Sequence, residues 1–163
     1  NQCCKINPNA LISPLLLYEN NTVQHAGMCL GFSYSQSMPI PCNLHHMKGL
    51  ALNQLLKYFN GLDQWKVPAL SGALLAFSRN LFLGSGGFDP IFGSGDFEDL
   101  DLSLRWKKNI GELLICSKAR LIHLERQSMD NAFVPMKRQW QERFNACCAF
   151  HVNSEIQQLS EVT

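Results

Sequence analysis

Residues 86–106 read GGFDPIFGSGDFEDLDLSLRW. Two glycines and an Asp-Pro turn open the stretch, a Gly-Ser-Gly hinge crosses it, and four carboxylates follow within six positions: Asp96, Glu98, Asp99 and Asp101. Past them the residues favour a helix from Asp96 to about Asn109, with Gly111 at its stop. The acids occupy its first turn and Arg105, Lys107 and Lys108 its last, as the helix dipole prefers.

Outward from this helix the chain alternates. Upstream, LISPLLLY reads as a buried strand interrupted by Pro14, and YENNTVQHAG as a polar turn and a short extended piece. SYSQSMPIPCNLHH, residues 33–46, mixes Ser and Pro without periodicity and reads as a loop. LALNQLLKYF has apolar residues at 52, 55, 56 and 59, a helical spacing. VPALSGALLAFS reads as two strands broken at Ser71-Gly72, and RNLFLGSGG as one helical turn stopped by glycine. Downstream, ELLICSKARLIHL predicts two strands or one bulged strand. A helix is expected after Pro135, with Phe133, Met136, Trp140 and Phe144 down one side, then a polar tail from Asn153. Strands alternating with helices indicate an α/β fold.

Composition narrows the function classes. The chain has 163 residues, 46% hydrophobic and 17% charged, with a net charge of +1, enough for one domain with a core. No basic stripe or long run of like charge marks a nucleic-acid partner. The longest apolar runs are too short to cross a bilayer. The N-terminus has neither an initiator Met nor the shape of a signal peptide, so the expectation is a cut point in a longer chain. Seven cysteines include no C-x-x-C pair, which argues against a zinc knuckle and for reduced, packed thiols in a cytosolic setting. The sequon at Asn20 would be idle there.

Helix capping alone accounts for part of the acidic cluster. Asp96 can cap, Glu98 and Asp99 meet the positive end of the dipole, and Asp101 pairs with Arg105 four residues on. Capping does not explain the two glycine hinges before the acids, nor His123 among apolar residues in LIHLE. An EF-hand is excluded because its ligand pattern is absent. A glycosidase carboxylate pair and a divalent-metal hydrolase stay open.

The ordered set of elements is similar to one family. Ser71-Gly72-Ala73, Gly86-Gly87-Phe88-Asp89, Glu98-Asp99-Leu100-Asp101-Leu102 with Arg105, and His123 with Ser128 resemble the C-terminal half of family 2 glycosyltransferases; NNTVQHAG resembles the segment just upstream. The resemblance covers roughly residues 10 to 150. It implies a partial GT-A (nucleotide-diphospho-sugar transferase, Rossmann-like) fold, a mixed sheet flanked by helices. The implied reaction moves a sugar from a nucleotide-diphosphate donor to a hydroxyl of a glycan, lipid or protein acceptor, usually with inversion, as in building cell-envelope polysaccharide.

Carried over residue by residue, the resemblance makes Asp99 the general base. Neighbouring acids would raise its pKa and the helix N-terminus would lower it. Gly87, Asp89 and Glu98 fall on the acceptor side or shape its loop, and Ser71 and Gly72 lie beside the donor sugar. His123 is a candidate ligand for a divalent cation, Mn²⁺ or Mg²⁺, with a backbone-bonded strand histidine as the alternative. Arg105 is expected to pair with Asp101, and Trp106 and Trp140 to pack in the core, although a Trp can also stack on a sugar.

One departure matters. The only D-x-D string is Asp99-Leu100-Asp101, inside the helix, whereas the family's metal-binding Asp-x-Asp precedes the segment where this sequence begins. Residues 1–152 are therefore expected to be the acceptor-side portion of such a domain, without the nucleotide-binding half and inactive alone, with 153–163 as a tail and an unpaired sheet edge. The expected setting is cytoplasmic, with membrane association a property of the full-length protein. A non-catalytic glycan- or partner-binding module of the same fold is the alternative; an upstream Asp-x-Asp would favour the enzyme.

Overall fold

The computed structural model describes residues 2–35, 38–92 and 97–124. By contacts the chain divides into two units, Asn1–Gly31 with Asn43–Glu125, and Phe32–Cys42 with Arg126–Thr163. The first holds the core and every site residue discussed below. The helix expected after Pro135, Trp140, Ser128, Cys147, Cys148 and the tail lie outside the described residues, as do the hinge at 93–95 and Asp96.

A short helix α1 (Gln2–Ile6) leads into β1 (Leu11–Leu17), buried along its whole length. β2 (Val23–His25), β3 (Met28–Ser35) and β4 (Met38–His45) follow, then α2 (Leu52–Tyr58), β5 (Gln64–Lys66), α3 (Arg79–Gly84), a 3₁₀ turn at Pro90–Phe92, α4 (Glu98–Asn109) and β6 (Leu113–Ile122). The main sheet has the order β2-β1-β6-β5. β1 and β6 are parallel, whereas β2 and β5 run antiparallel to their neighbours. The sheet is mixed, as the α/β reading expects.

Pro14 has no N–H to give a ladder. The register slips next to it: Pro14 pairs with Cys116, yet Leu15 pairs with Arg120, so Ser117, Lys118 and Ala119 have no partner in β1. β6 is thus the single bulged strand of the two alternatives. Its burial changes at the same point, from buried at Leu113–Ser117 to exposed at Lys118–Ile122.

The core gathers Leu11, Leu15 and Leu17 of β1, Val23 of β2, Leu55 of α2, and Leu102 and Trp106 of α4. Trp106 is fully buried and its indole N–H donates to Asn9 O at 2.9 Å, which satisfies its one polar atom, as the core reading of this residue expects. Trp65 stacks on Phe59, centroids 4.0 Å apart, and donates to Ala26 O. Cys116 is buried, Cys3, Cys4, Cys29 and Cys42 are half-buried, and all five are free thiols. The sulfurs of Cys3 and Cys116 lie 2.8 Å apart, and burial pushes the Cys3 thiol up to about 11.

Two expectations need correction. Residues 33–46 are no loop: β3 and β4 pair there as a two-stranded sheet. The segment at 67–78 forms no strands. It touches the sheet through isolated bridges, Ala69 with Met28 and Ala76 with Ile12. Between them the N–H groups of residues 70–73 are taken by side chains.

Candidate active site

Helix α4 sets the site. Asp99, Leu102, Ser103 and Trp106 follow the i, i+3, i+4, i+7 spacing of one helical face, and the last three are fully buried. That spacing turns Asp99 towards the protein body one turn before the core begins. Glu98 and Asp101 flank it. Glu98 accepts the backbone N–H of Phe97 at 3.0 Å, and Asp101 pairs with Arg105 at 2.7 Å.

Opposite this face runs the segment Leu70–Gly72. Its three consecutive backbone N–H groups each donate to a different side chain. Leu70 donates to Ser103 Oγ at 3.0 Å, Ser71 to His25 Nε2 at 3.2 Å, and Gly72 to Asp99 Oδ2 at 2.8 Å. Asp99 Oδ1 accepts the N–H of Leu100 at 2.7 Å. A Cβ on Gly72 would come within 3.2 Å of Asp99 Cβ, so glycine eases the close approach.

Asp99 is half-buried, and its pKa is pushed up from 3.8 to about 6. Desolvation is the main cause. The Gly72 N–H pulls the other way, and the charge of Glu98 adds to the rise. The N–H groups of Gly72, of Leu100 and of Asp99 itself favour the charged form, and since a carboxylate has about four lone-pair positions there is still room to accept a proton from an incoming group.

The glycine pair is built separately. Gly86 and Gly87 have φ of +87° and +65°, the left-handed region, and Gly87 N–H closes α3 on Phe82 O at 3.0 Å. Arg105 fastens this turn to α4: its Nη1 donates to Ser85 O at 2.6 Å, its Nη2 to Gly87 O at 2.7 Å, and its Nε to Asp101. Asp89, exposed, starts the 3₁₀ turn through Phe92 N–H.

Of the residues singled out in the sequence, the structure brings Ser71, Gly72, Glu98 and Asp99 together. Gly87 joins them through Arg105 of the same helix. His123 sits elsewhere. Its Nδ1–H donates to Gln24 Oε1 at 2.8 Å, and Gln24 Nε2 returns a bond to His123 O. Gln24 and His25 are successive on β2 and point to opposite faces, so His123 and Asp99 are served by opposite sides of that strand. The Gln24 bond leaves Nε2 of His123 with its lone pair, as a metal-bound imidazole needs. Among the described residues no three His, Cys, Asp or Glu side chains gather as a metal site. Nor do Asp99 and Asp101 form one, being engaged by Gly72 and Arg105.

Sequence reasoning missed His25 and Ser103. The signal for Ser103 was its place in the apolar stripe of α4; for His25 it was the lone ring in the QHAG segment. Two hollows among the described residues, of about 340 and 440 Å³, lie against α1 and do not include Asp99.

No family model and no curated protein matches this chain. Among solved structures it is similar to a crystal structure of GalNAc-T7 with UDP, GalNAc and Mn²⁺, with a TM-score of 0.51 and 17% identity. The match covers 81% of this chain and 26% of that one, so the chain spans about a quarter of the neighbour's length. The fold is that of a GT-A glycosyltransferase domain, in part. At this identity the likeness establishes fold and nothing finer. No helix among the described residues is long and apolar enough to cross a membrane.

Proposed function

We propose that the chain is the acceptor-side part of a glycosyltransferase of the family 2 type, with Asp99 as the general base of an inverting transfer. One observation carries this reading. A half-buried carboxylate with a pKa near 6 lies against the Ser71-Gly72 turn that the sequence resemblance places beside the donor sugar.

In this reading the acceptor hydroxyl approaches the unused lone pairs of Asp99. Its proton passes to the carboxylate as the acceptor oxygen bonds to the anomeric carbon. The bond from that carbon to the nucleoside diphosphate breaks on the opposite side. A base with a pKa near 6 is ionised at neutral pH yet basic enough to assist. Gly72 keeps side-chain bulk away from the carboxylate, Glu98 lines the approach, and Arg105 holds the Gly87 turn that leads to Asp89.

GalNAc-T7 was crystallised with UDP and Mn²⁺, which favours a nucleotide-sugar donor and a divalent cation, Mn²⁺ or Mg²⁺, for this chain too. When bound, such a cation would neutralise charge on the departing diphosphate. His123 Nε2 is the donor proposed for it here, and the remaining ligands would come from an Asp-x-Asp outside α4.

The test is Asp99→Asn in the complete enzyme, assayed with nucleotide-sugar donors. Transfer is expected to fall by about 10²–10⁴-fold while donor binding, read by calorimetry, stays nearly unchanged. Retained turnover would remove Asp99 from this role. Acceptor binding without turnover in the unmodified enzyme would favour a non-catalytic module.

A further inference from the structure

We infer that His25 is a positioning residue: as a neutral ring it holds the Leu70-Ser71 peptide from the sheet side and so keeps the next N–H, that of Gly72, on Asp99. For its bearing on catalysis the inference rests on the reading of Asp99 as the base; the clamp itself does not.

A Cβ at position 72 would meet Asp99 Cβ at 3.2 Å, a tight contact that glycine avoids, yet glycine leaves the backbone free to rotate out of place. Something outside the turn must therefore fix it. Ser103 fixes Leu70, on the α4 side, with Oγ accepting from Leu70 N and donating to Leu70 O. His25 fixes Ser71, the residue directly before Gly72, from β2. β2 is itself held by β1, where Leu16 pairs with His25. Ser71 is thus held at both of its peptides, the N–H before it by a strand residue and the Gly72 N–H after it by a helix residue.

The tautomer follows from the donors. Ser71 N–H points at Nε2, so Nε2 carries a lone pair and the ring proton sits on Nδ1. That Nδ1 lies 3.2 Å from His45 Nδ1, which therefore accepts. An imidazolium at position 25 would set one N–H against another at Ser71. The surroundings disfavour that charge as well. His25 is fully buried, and burial, followed by the neighbouring His45 and His46, pushes its pKa down to about 3. A buried hydrocarbon in its place would leave Ser71 N–H without a partner.

The experiment needs no turnover and uses the present 163-residue chain. The Asp99 side-chain carboxyl carbon is titrated by NMR, and the exchange of the Gly72 amide is followed, in the unmodified protein, His25→Leu and His25→Gln. His25→Leu is expected to raise the Asp99 midpoint by about one pH unit, because the Gly72 N–H that holds it down is released. Gly72 exchange should speed up by about tenfold or more. His25→Gln, whose carbonyl can accept from Ser71, is expected to restore both in part. An unchanged Asp99 midpoint and unchanged Gly72 exchange in folded His25→Leu would overturn the clamp. Should His25→Leu fail to fold, the ring nitrogen shifts of the unmodified protein decide. A bare Nε2 at neutral pH supports the clamp, and a protonated Nε2 overturns it. Failure of Asp99→Asn to abolish transfer would remove the base while leaving these readouts standing, so the two ideas fail separately.

Discussion

Asp99 and His25 titrate in opposite senses, and that difference is measurable. The Asp99 carboxyl is raised from 3.8 to about 6, so between these values the folded protein holds a proton that the unfolded chain has lost. Its contribution to stability is present below pH 4 and is lost as pH rises through about 6. His25 is lowered from 6.5 to about 3, so its contribution is present above pH 6.5 and is lost as pH falls towards 3. In the window from 4 to 6 the two partly cancel in the unmodified protein. The difference between it and Asp99→Asn isolates the carboxylate. The variant is expected to gain on the unmodified protein by on the order of 1–3 kcal/mol as pH rises from 4 to 7, read from urea midpoints. A difference that stays flat across this window would mean that Asp99 is solvated like an ordinary surface acid. If Asp99 is the base proposed above, the same group sets the acid limb of transfer in the complete enzyme. Transfer is expected to fall about tenfold per pH unit below about 6, and kcat/KM against pH checks it.

At the scale of elements, α4 is the piece on which the site depends. Its inner face supplies Asp99 and Ser103 to one segment and Trp106 to the core, and its flank supplies Arg105 to another turn. Ser103→Ala removes the acceptor for Leu70 N–H inside the protein and is expected to cost about 1–3 kcal/mol in chemical denaturation. Ser103→Thr keeps the hydroxyl and should lose less than Ser103→Ala if the hydrogen bond, rather than volume, matters. The Gly86-Gly87 turn makes a second prediction. Gly87 has positive φ, and a Cβ there would meet the Phe82 ring at 3.3 Å, so Gly87→Ala is expected to destabilise by about 1–2 kcal/mol. Gly49 also has positive φ but open space around it, so Gly49→Ala should cost less. The order of the two thermal midpoints is the check.

For the whole molecule, one core joins the sheet to α2 and α4. Trp106 lies fully buried at its centre, hydrogen-bonded to Asn9. Trp106→Ala is expected to cost about 3–5 kcal/mol, against a typical total of 5–15, and so to leave the chain largely unfolded at 37 °C by circular dichroism. Through this core the position of Asp99 depends on residues far from it in sequence. β1, α4 and β6 meet only because Leu11, Leu15, Leu102 and Ile115 are buried together.

Sequence alone determined the elements whose pattern is local. The apolar spacing of α2 and α4, the run of β1 with its proline, the glycine stop after α3 and the acid-to-base polarity of α4 are all set by neighbours within a few residues. The order of the segments carried the GT-A resemblance, and that resemblance, rather than the local pattern, singled out Asp99 among the four clustered acids. Tertiary structure decided the rest. Residues 33–46 look irregular by composition yet pair as strands, since a partner strand supplies what propensity does not. Residues 67–78 look like two strands broken at Ser71-Gly72, yet the N–H groups of residues 70–72 go to Ser103, His25 and Asp99, distant in the chain. The pKa of Asp99 belongs to the same class, because desolvation and a hydrogen bond from Gly72 come from spatial neighbours, which no local pattern encodes.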